Sequence, residues 1–243
     1  AFKGIGGFKK PTVIVCAPSG ATSVERLAIQ DAVRQCGARE VHIIEESIAA
    51  AVGAELPVSE PTASAIVDLG GGTTEVGIIS LGGVVCTNTI KVGGVRINEE
   101  IIHYLRKDHA ILIGERTAEE IKQTIVHAPI EHAIMEIEIT GRDVVSGLPR
   151  ALTIDSIQLQ DCLSESFMSI LEVIRRTLEI CPPELAGDIV ERGVVLTGGT
   201  SLIHGLDTWL ADELLIPVHL APSPLESAVV GTGLALESLH LLK

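Results

Sequence analysis

The alternation of apolar and polar positions predicts strands and helices in turn at the start of the chain. Residues 11–17 form a short β-branched run bounded by prolines, which predicts a buried strand. The capping-box pattern of Thr22 and Glu25 predicts a helix that ends at Gly37. A second strand is predicted at 40–44 and a short alanine-rich helix at 47–52. This β-α-β-α order indicates an α/β fold with a mostly parallel sheet.

From residue 63 the pattern changes to consecutive strands. The apolar runs 63–68, 74–81 and 84–91 are separated by glycine-rich turns and predict an antiparallel meander. A second capping box, at residues 117–120, predicts another helix start. The remaining predictions are helices at 97–107, 118–126, 157–179, 206–214 and from Leu225, and strands at 135–140, 150–154, 193–197 and 218–221.

Two glycine clusters follow apolar strands and carry the candidate chemistry. The first glycine turn is residues 70–74, after the run Ala65–Val67, and the second is residues 198–202, after Gly193–Leu196. Glycines at strand ends let backbone N–H groups converge on phosphate oxygens. Asp68, just before the first turn, is suited to hold a water bound to Mg²⁺ beside those phosphates. The alternative is a pair of tight turns with no ligand; the two clusters together favour a nucleotide site.

The surrounding motifs resemble the MreB family, the bacterial actin homologues of cell-shape control within the actin/Hsp70/sugar-kinase superfamily. The resemblance lies in the residues around both glycine turns and in the segments Ile44–Gly53, Ile113–Lys122 and Pro182–Leu185. It implies an actin-like ATPase fold comprising the second half and part of the first half, with a small inserted α+β subdomain. It also implies ATP and Mg²⁺ as cofactors.

The resemblance implies a role for each site residue. Backbone N–H groups of Gly70, Gly71, Gly72, Thr73 and Thr74 would bind phosphate oxygens. Glu46, Thr73 and Asp68 are the implied catalytic residues, with Glu46 and the Thr73 hydroxyl acting on the attacking water and Asp68 on the metal. The remaining implied nucleotide contacts are Glu119, Glu120, Ile121 and Lys122, toward the ribose and adenine, and Gly198, Gly199, Thr200, Ser201 and Leu202, which close over the nucleoside.

For Glu46 and for the pair Glu119 and Lys122, a purely structural role is the alternative. Glu46 is also the kind of acid that the dipole favours at a helix N-terminus. Glu119 and Lys122 stand at i, i+3, and an ordinary surface ion pair there contributes only about 0.2–0.5 kcal/mol. The family resemblance favours the catalytic role for Glu46 and the nucleotide-binding role for Glu119 and Lys122.

The resemblance also divides the chain. Residues 1–55 are the remainder of the first actin-like subdomain, and 225–243 form a C-terminal helix returning to it. Residues 56–94 and 156–224 make up the second large subdomain, and 95–155 the small inserted one. A proline-containing stretch, Leu56–Pro61, is a candidate hinge between the first two.

Charge, cysteine content and the lengths of the apolar runs limit the classes of partner and cellular compartment. The 18 Lys and Arg residues against 32 Asp and Glu give a net charge of −14, which argues against nucleic acid as the main partner. The five scattered cysteines are typical of reduced thiols in a cytosolic protein. No apolar run approaches the roughly 18 residues that a membrane-spanning helix requires.

The implied partners are therefore further copies of the chain in a filament, and membrane-bound morphogenesis proteins at the cytoplasmic face of the membrane. The resemblance places the protein in the cytoplasm, peripheral at the inner face of the cell membrane. Phe8, between Gly6-Gly7 and Lys9-Lys10, is suited to insert into the lipid interface. The alternative is that Phe8 packs on another part of the protein.

Three functions stay open at this level. The first is an MreB-like filament ATPase that maintains rod shape by organising cell-wall synthesis. The others are a non-catalytic interaction module of the same fold and a small-molecule kinase of the superfamily. Because the family's first phosphate turn has no counterpart in these 243 residues, and because Gly93-Gly94-Val95 and Asn98 stand where the family usually has two acids, we expect weak ATP binding and negligible turnover from these residues alone. We also expect an open sheet edge at 11–17 that promotes self-association.

Overall fold

The computed structural model describes residues 10–131 and 133–237 and contains three sheets with helices packed against them. The strands are β1 (Thr12–Ala17), β2 (Glu40–Glu45), β3 (Ser64–Leu69), β4 (Thr74–Ser80), β5 (Gly83–Ile90), β6 (Ile111–Leu112), β7 (Glu136–Asp143), β8 (Pro149–Asp155), β9 (Val194–Thr197) and β10 (Val218–Leu220). The helices are α1 (Ser23–Gln35), α2 (Glu46–Gly53), α3 (Gly94–Asp108), α4 (Glu115–Ile125), α5 (Ser156–Cys162), α6 (Ser164–Glu179), α7 (Pro183–Arg192), α8 (Leu206–Leu214) and α9 (Ser227–Glu237).

The sheets follow the predicted change of pattern. β1 and β2 pair in parallel, while β3, β4 and β5 form the predicted antiparallel meander. The meander belongs to a five-stranded sheet of order β10-β9-β3-β4-β5, in which β9 pairs in parallel with β3. The third sheet has the order β6-β7-β8. Because β3 and β9 are parallel and adjacent, the two glycine turns that follow them must lie at the same edge of the sheet.

Large apolar side chains form one continuous core, which includes residues of the five-stranded sheet, α6 and α8 and residues of α3, α4, β7 and β8. The core includes Ile97, Ile101, Leu105 and Phe167, all fully buried. The rings of Phe167 and Trp209 meet edge to face, with centroids 5.8 Å apart. This core supports the strands that end in the glycine turns.

A different kind of packing joins α2 to α9. A Cβ added to Gly231 would lie 1.8 Å from the carbonyl oxygen of Ala49, and one added to Gly53 would lie 1.8 Å from that of Ser227. The two helix backbones therefore approach each other more closely than any side chain at these positions allows. This contact holds α2, and with it Glu46, in place.

Several predicted boundaries were wrong. The helix predicted from the capping box at 117–120 begins earlier, at Glu115, with Gly114 as its N-cap, so Thr117 lies inside the helix. The helix predicted at 157–179 is broken at the buried Leu163, which separates α5 from α6. α7 and β6 were not predicted, although Pro183 occupies a favoured helix-start position.

The first strand and first helix also differ from expectation in burial. β1 is only half-buried apart from Ala17. α1 has the predicted capping box, with Thr22 Oγ1 accepting from the Glu25 N–H and Glu25 Oε2 accepting from the Thr22 N–H. None of its residues is buried, and Leu27 is 54% exposed. Its apolar positions thus do not face a core within residues 10–131 and 133–237.

Candidate functional site

A hydrogen bond joins the two glycine turns. Thr200 Oγ1 donates to the carbonyl oxygen of Gly70 at 2.9 Å. Gly198, with a φ of +81°, lies so close to β3 that an added Cβ would be 2.3 Å from the Leu69 carbonyl oxygen. A side chain at this position would be both strained and obstructed. The sheet edge therefore carries one continuous site built from both turns.

The first glycine turn presents unused backbone donors. The N–H of Gly70 closes the turn on the Thr73 carbonyl oxygen at 2.9 Å. The carbonyls of Gly70 and Gly71 accept from the first residues of α3 at 3.1 and 2.8 Å. The N–H groups of Gly71, Gly72 and Thr73 have no acceptor among the described residues. Successive N–H groups of this kind, next to a helix N-terminus, are suited to bind phosphate oxygens.

A cavity of about 580 Å³ adjoins this turn. It is walled by both glycine turns, by the start of α3 and by one face of α4. The lining residues are Gly71, Gly94, Val95, Glu119, Lys122, Gln123, Gly199, Thr200, Leu202, Ile203 and Leu225. Residues predicted from three separate parts of the sequence are thus brought to one place.

Glu119 and Lys122 form more than a surface pair. Lys122 is 8% exposed, and its Nζ donates to Glu119 Oε2 at 2.7 Å and to the Gly94 carbonyl oxygen at 3.2 Å. Asn98 Nδ2 and Gln123 Nε2 also donate to Glu119, each at 2.8 Å. Burial raises the pKa of Glu119, but the hydrogen bonds from Asn98, Lys122 and Gln123 and the charge of Lys122 outweigh it, so the pKa is lowered overall. Glu119 is therefore held as a carboxylate on the cavity wall.

Asn98 stands where the family resemblance predicts an acid, and its contacts suit an amide. An acid at this position would face Glu119 with a like charge, whereas the amide of Asn98 donates a hydrogen bond to it. The Asn98 Oδ1 atom is buried and has no hydrogen-bond partner among the described residues. One buried acceptor beside Glu119 is therefore available to an ordered water.

Not every predicted contact residue reaches the cavity. The Ile121 side chain is fully buried in the core, and Glu120 is exposed outside the cavity lining. Thr74 is also fully buried, and its hydroxyl donates to the Val92 carbonyl oxygen at 2.8 Å. Ser201 Oγ donates to the Gly198 carbonyl oxygen at 2.6 Å, which stabilises the second turn from within. Ile121, Thr74 and Ser201 therefore make their side-chain contacts within the protein.

The three predicted catalytic residues come from different elements. Glu46 begins α2, Asp68 lies on β3 just before the first turn, and Thr73 lies within that turn. Burial raises the pKa of Glu46 to about 7, and the charges of Asp68 and Glu75 contribute. Burial and the charge of Glu75 raise the pKa of Asp68 to about 6, opposed by a hydrogen bond from Thr197. Thr73 lines a second cavity, of about 740 Å³, between the turn at Pro18–Ala21 and β5. None of the three lines the 580 Å³ cavity.

Asp68 fits the role of a magnesium-associated residue. Residues 10–131 and 133–237 contain no group of three or more His, Cys, Asp and Glu side chains arranged to hold a metal ion. Mg²⁺ commonly retains several waters and uses one or two carboxylates together with phosphate oxygens. A single carboxylate that is 8% exposed at the end of β3 matches that requirement.

Glu75 is the site residue that sequence reasoning missed. It is 2% exposed and is the second residue of β4, in which residues 74–79 are all buried. A charged residue in a strand predicted to be buried was the available signal, because such a group requires dedicated partners. Phe8, the predicted membrane residue, lies outside the described residues.

The family's sequence profile, described as MreB/Mbl protein, matches residues 2–243. The chain belongs to the MreB/Mbl family. It is 49% identical over 231 residues to the cell shape-determining protein MreB of Escherichia coli K12, covering 95% of this chain and 67% of that protein. It is 41% identical over 237 residues to the cell shape-determining protein Mbl of Bacillus subtilis, covering 98% of this chain and 71% of that protein.

Solved structures show the same fold. MreB5 of Spiroplasma citri bound to AMPPNP superposes with a TM-score of 0.92 at 36% identity, covering 98% of this chain and 72% of that one. The MamK double helical filament superposes with a TM-score of 0.80 at 18% identity, covering 96% and 70%. The predicted actin-like fold is therefore confirmed. No helix of the described residues is long and apolar enough to cross a membrane.

Proposed function

We propose that this MreB/Mbl-family protein, as its complete gene product, binds ATP with Mg²⁺ and forms membrane-associated filaments that maintain rod cell shape by organising cell-wall synthesis. The nucleotide part rests on the N–H groups of Gly71, Gly72 and Thr73, which lack an acceptor in the part of the chain that the structure describes and stand beside the 580 Å³ cavity. Support comes from MreB5 of Spiroplasma citri, which has been solved with AMPPNP and with ADP.

In this proposal the phosphates lie on the first glycine turn, on the N–H groups of residues 71–73, because that of Gly70 already donates to the Thr73 carbonyl oxygen. The nucleoside occupies the cavity. Lys122 and Glu119 contact the ribose and the adenine edge, and residues 199–202 cover the nucleoside. Asp68 holds a water of the Mg²⁺ ion, which when bound neutralises phosphate charge. The proposed division of the chain into subdomains is the one that the family resemblance implies.

Glu46 is proposed as the group that accepts a proton from the attacking water, with the Thr73 hydroxyl orienting that water. A carboxyl group with a pKa of about 7 is well matched to proton transfer near neutral pH, because a large fraction is ionised and the ionised form is basic enough to act. Burial, the main cause of this pKa, also limits access of bulk water to the reacting groups.

Binding is tested by adding a methyl group where the phosphates would lie. A Cβ at Gly71 meets no protein atom within 4 Å, so Gly71→Ala should fold normally and obstruct only a bound phosphate. We expect MgATP affinity in the complete gene product to fall by about tenfold or more in calorimetry. Gly114→Ala, equally open, is the matched control and should bind normally. Unchanged affinity in Gly71→Ala would remove the turn from the site.

Hydrolysis is tested separately with Glu46→Ala and Thr73→Ala in the complete gene product. Loss of a general base typically slows a reaction by about 10²–10⁴-fold, so kcat should fall strongly for Glu46→Ala and less for Thr73→Ala. MgATP affinity should change little, because both side chains act on the water. Glu40→Ala, an exposed carboxylate on the same segment, is the control. Equal turnover at saturating ATP would exclude both residues from catalysis.

Self-assembly and membrane binding are measured independently of turnover. We expect the complete gene product to sediment as filaments with MgATP, and to float with vesicles containing anionic lipid. Phe8→Ala should weaken flotation if the aromatic ring inserts at the interface. Flotation unchanged by Phe8→Ala would assign membrane binding to another surface.

A further inference from the structure

Glu75 is surrounded by hydrogen-bond donors from three other segments of the chain. Its Oε1 accepts from the Ser47 N–H at 3.1 Å and from Ser19 Oγ at 2.7 Å. Its Oε2 accepts from the Ser19 N–H at 3.0 Å and from Thr89 Oγ1 at 3.3 Å. A carboxylate that is 2% exposed would be strongly unfavourable without such partners. The four donors make Glu75 a stable junction.

The donors connect the first sheet to the candidate active site. Ser19 lies in the turn after β1, Ser47 in the first turn of α2, and Thr89 on β5. The hydroxyls of Ser19 and Ser47 also lie 3.0 Å apart, within hydrogen-bond distance. Ser47 directly follows Glu46, and Glu75 stands two residues after Thr73. One side chain thus links the segment carrying Glu46 to the strand that continues the first glycine turn.

The backbone contacts are equally tight here. A Cβ added to Gly77, two residues beyond Glu75 on β4, would lie 2.7 Å from the Cβ of Ser47. α2 therefore sits directly on β4, and the position of its N-terminus is sensitive to whatever holds Ser47.

We propose that Glu75 is a positioning residue that fixes Glu46 opposite the first glycine turn and fastens the Ser19 turn to the same point. The role in turnover rests on the ATPase function proposed above, whereas the structural role does not. Glu75 itself is not assigned a contact with nucleotide.

The geometry requires a carboxylate specifically. Each oxygen of Glu75 accepts from one backbone N–H, that of Ser47 or that of Ser19. A glutamine has one acceptor oxygen and one NH₂ donor, and in either orientation its NH₂ faces a backbone N–H that cannot accept. Glu75→Gln therefore keeps the size of the side chain but must lose at least one of the two backbone bonds.

The structural test is amide hydrogen exchange on the chain without nucleotide. In Glu75→Gln we expect the amide of Ser19, of Ser47, or of both, to exchange about tenfold faster or more, because losing the hydrogen bond lowers local protection. Glu100→Gln, another partly buried carboxylate that accepts from Ser166 Oγ, is the control and should leave both amides unchanged. Unchanged exchange at both amides in folded Glu75→Gln would overturn the proposal.

Ser19→Ala covers the case in which Glu75→Gln does not fold. It removes the hydroxyl bonds to Glu75 and Ser47 while leaving the Ser19 N–H in place. We expect a smaller increase, about threefold, in exchange at the Ser47 amide. No change there would mean that Ser47 is held independently of this junction, which would also overturn the proposal.

The functional test uses the complete gene product with MgATP. Displacing Glu46 should lower kcat by about tenfold or more for Glu75→Gln, with the MgATP dissociation constant within about threefold of wild type. If wild type hydrolyses ATP and Glu75→Gln matches its kcat, the positioning role is wrong. If wild type itself shows no hydrolysis, the proposed ATPase fails, and the amide exchange result still decides the structural role.

Discussion

Two regions of this molecule are stabilised in different ways. The large-core region, comprising the five-stranded sheet with α3, α4, α6 and α8, buries many large aliphatic side chains. The small-sheet region, comprising β1, β2, α1, α2 and α9, buries few, and its α1 buries none. It depends instead on the close approach of α2 to α9 and on the polar junction at Glu75.

The difference shows what each region requires from the sequence. The large core needs apolar volume, which many residues can supply. The small-sheet region has no room for a side chain at Gly53 and Gly231 and requires a carboxylate at Glu75. Few other residues meet these requirements. The candidate active site lies between them, because Glu46 comes from one region and both glycine turns from the other.

The largest expected effect is in the large core. Phe167 is fully buried against Trp209, and Phe167→Ala should lower the free energy of unfolding by about 3–5 kcal/mol. Leu27→Ala on α1, where the side chain is 54% exposed, should change it by less than about 0.5 kcal/mol. Urea titration measures both. Similar losses in the two variants would contradict the contrast between the regions.

The next effect tests the helix contact. Gly231→Ala places a methyl group 1.8 Å from the Ala49 carbonyl oxygen, and overpacking of this kind costs about 1–3 kcal/mol or more. Gly233→Ala, two residues away, meets no atom within 4 Å and should be neutral or stabilise by up to about 1 kcal/mol. Thermal unfolding of the pair checks this. Equal midpoints would show that the helices separate without cost.

A smaller effect concerns pH at the boundary between the regions. The pKa of Glu46 is raised in the folded state from 4.5 to about 7, so the folded chain binds the proton more tightly than the unfolded chain. This contribution to stability is therefore complete below about pH 4.5 and is lost as the pH rises to about 7. Glu46→Gln should flatten the pH dependence in this range and gain about 1–2 kcal/mol relative to wild type at pH 8.

The measurement is urea unfolding between pH 5 and 8 without Mg²⁺ or nucleotide, since a bound cation would change the local charge. Glu40→Gln, at an exposed carboxyl on β2, is the control. A slope in wild type that Glu46→Gln leaves unchanged would assign the pH dependence to other groups.

The smallest effect is local to α1. Because α1 buries no side chain, its capping box is a main source of its stability, and Thr22→Ala should cost about 1 kcal/mol. Exchange of α1 amides should increase while that of α6 amides does not. Thr208→Ala, an exposed position inside α8, is the control and should change stability by less than about 0.5 kcal/mol. No change in α1 would mean that unpredicted tertiary contacts hold the helix.

Local signals in the sequence predicted much of the fold, but the same signal succeeded in one place and failed in another. The capping box at Thr22 marks a true helix start, while that at Thr117 lies inside α4, because Gly114 begins the helix earlier. Similarly, the apolar periodicity of 157–179 continues through Leu163, where the helix is broken. Apolar periodicity indicates only which side chains are buried. Leu163 is buried although the helix is broken there, so the periodicity does not reveal the break.

Residue spacing and backbone freedom at glycine were sufficient to predict the α/β class, the antiparallel meander and the two glycine turns. Tertiary structure alone decided that both turns share one cavity with Glu119 and Lys122, because only the parallel pairing of β3 and β9 brings them to the same edge. It alone also decided the pKa of Glu46 and the partners of Glu75. Burial and neighbouring charge set these properties, and both arise from segments far apart in the chain.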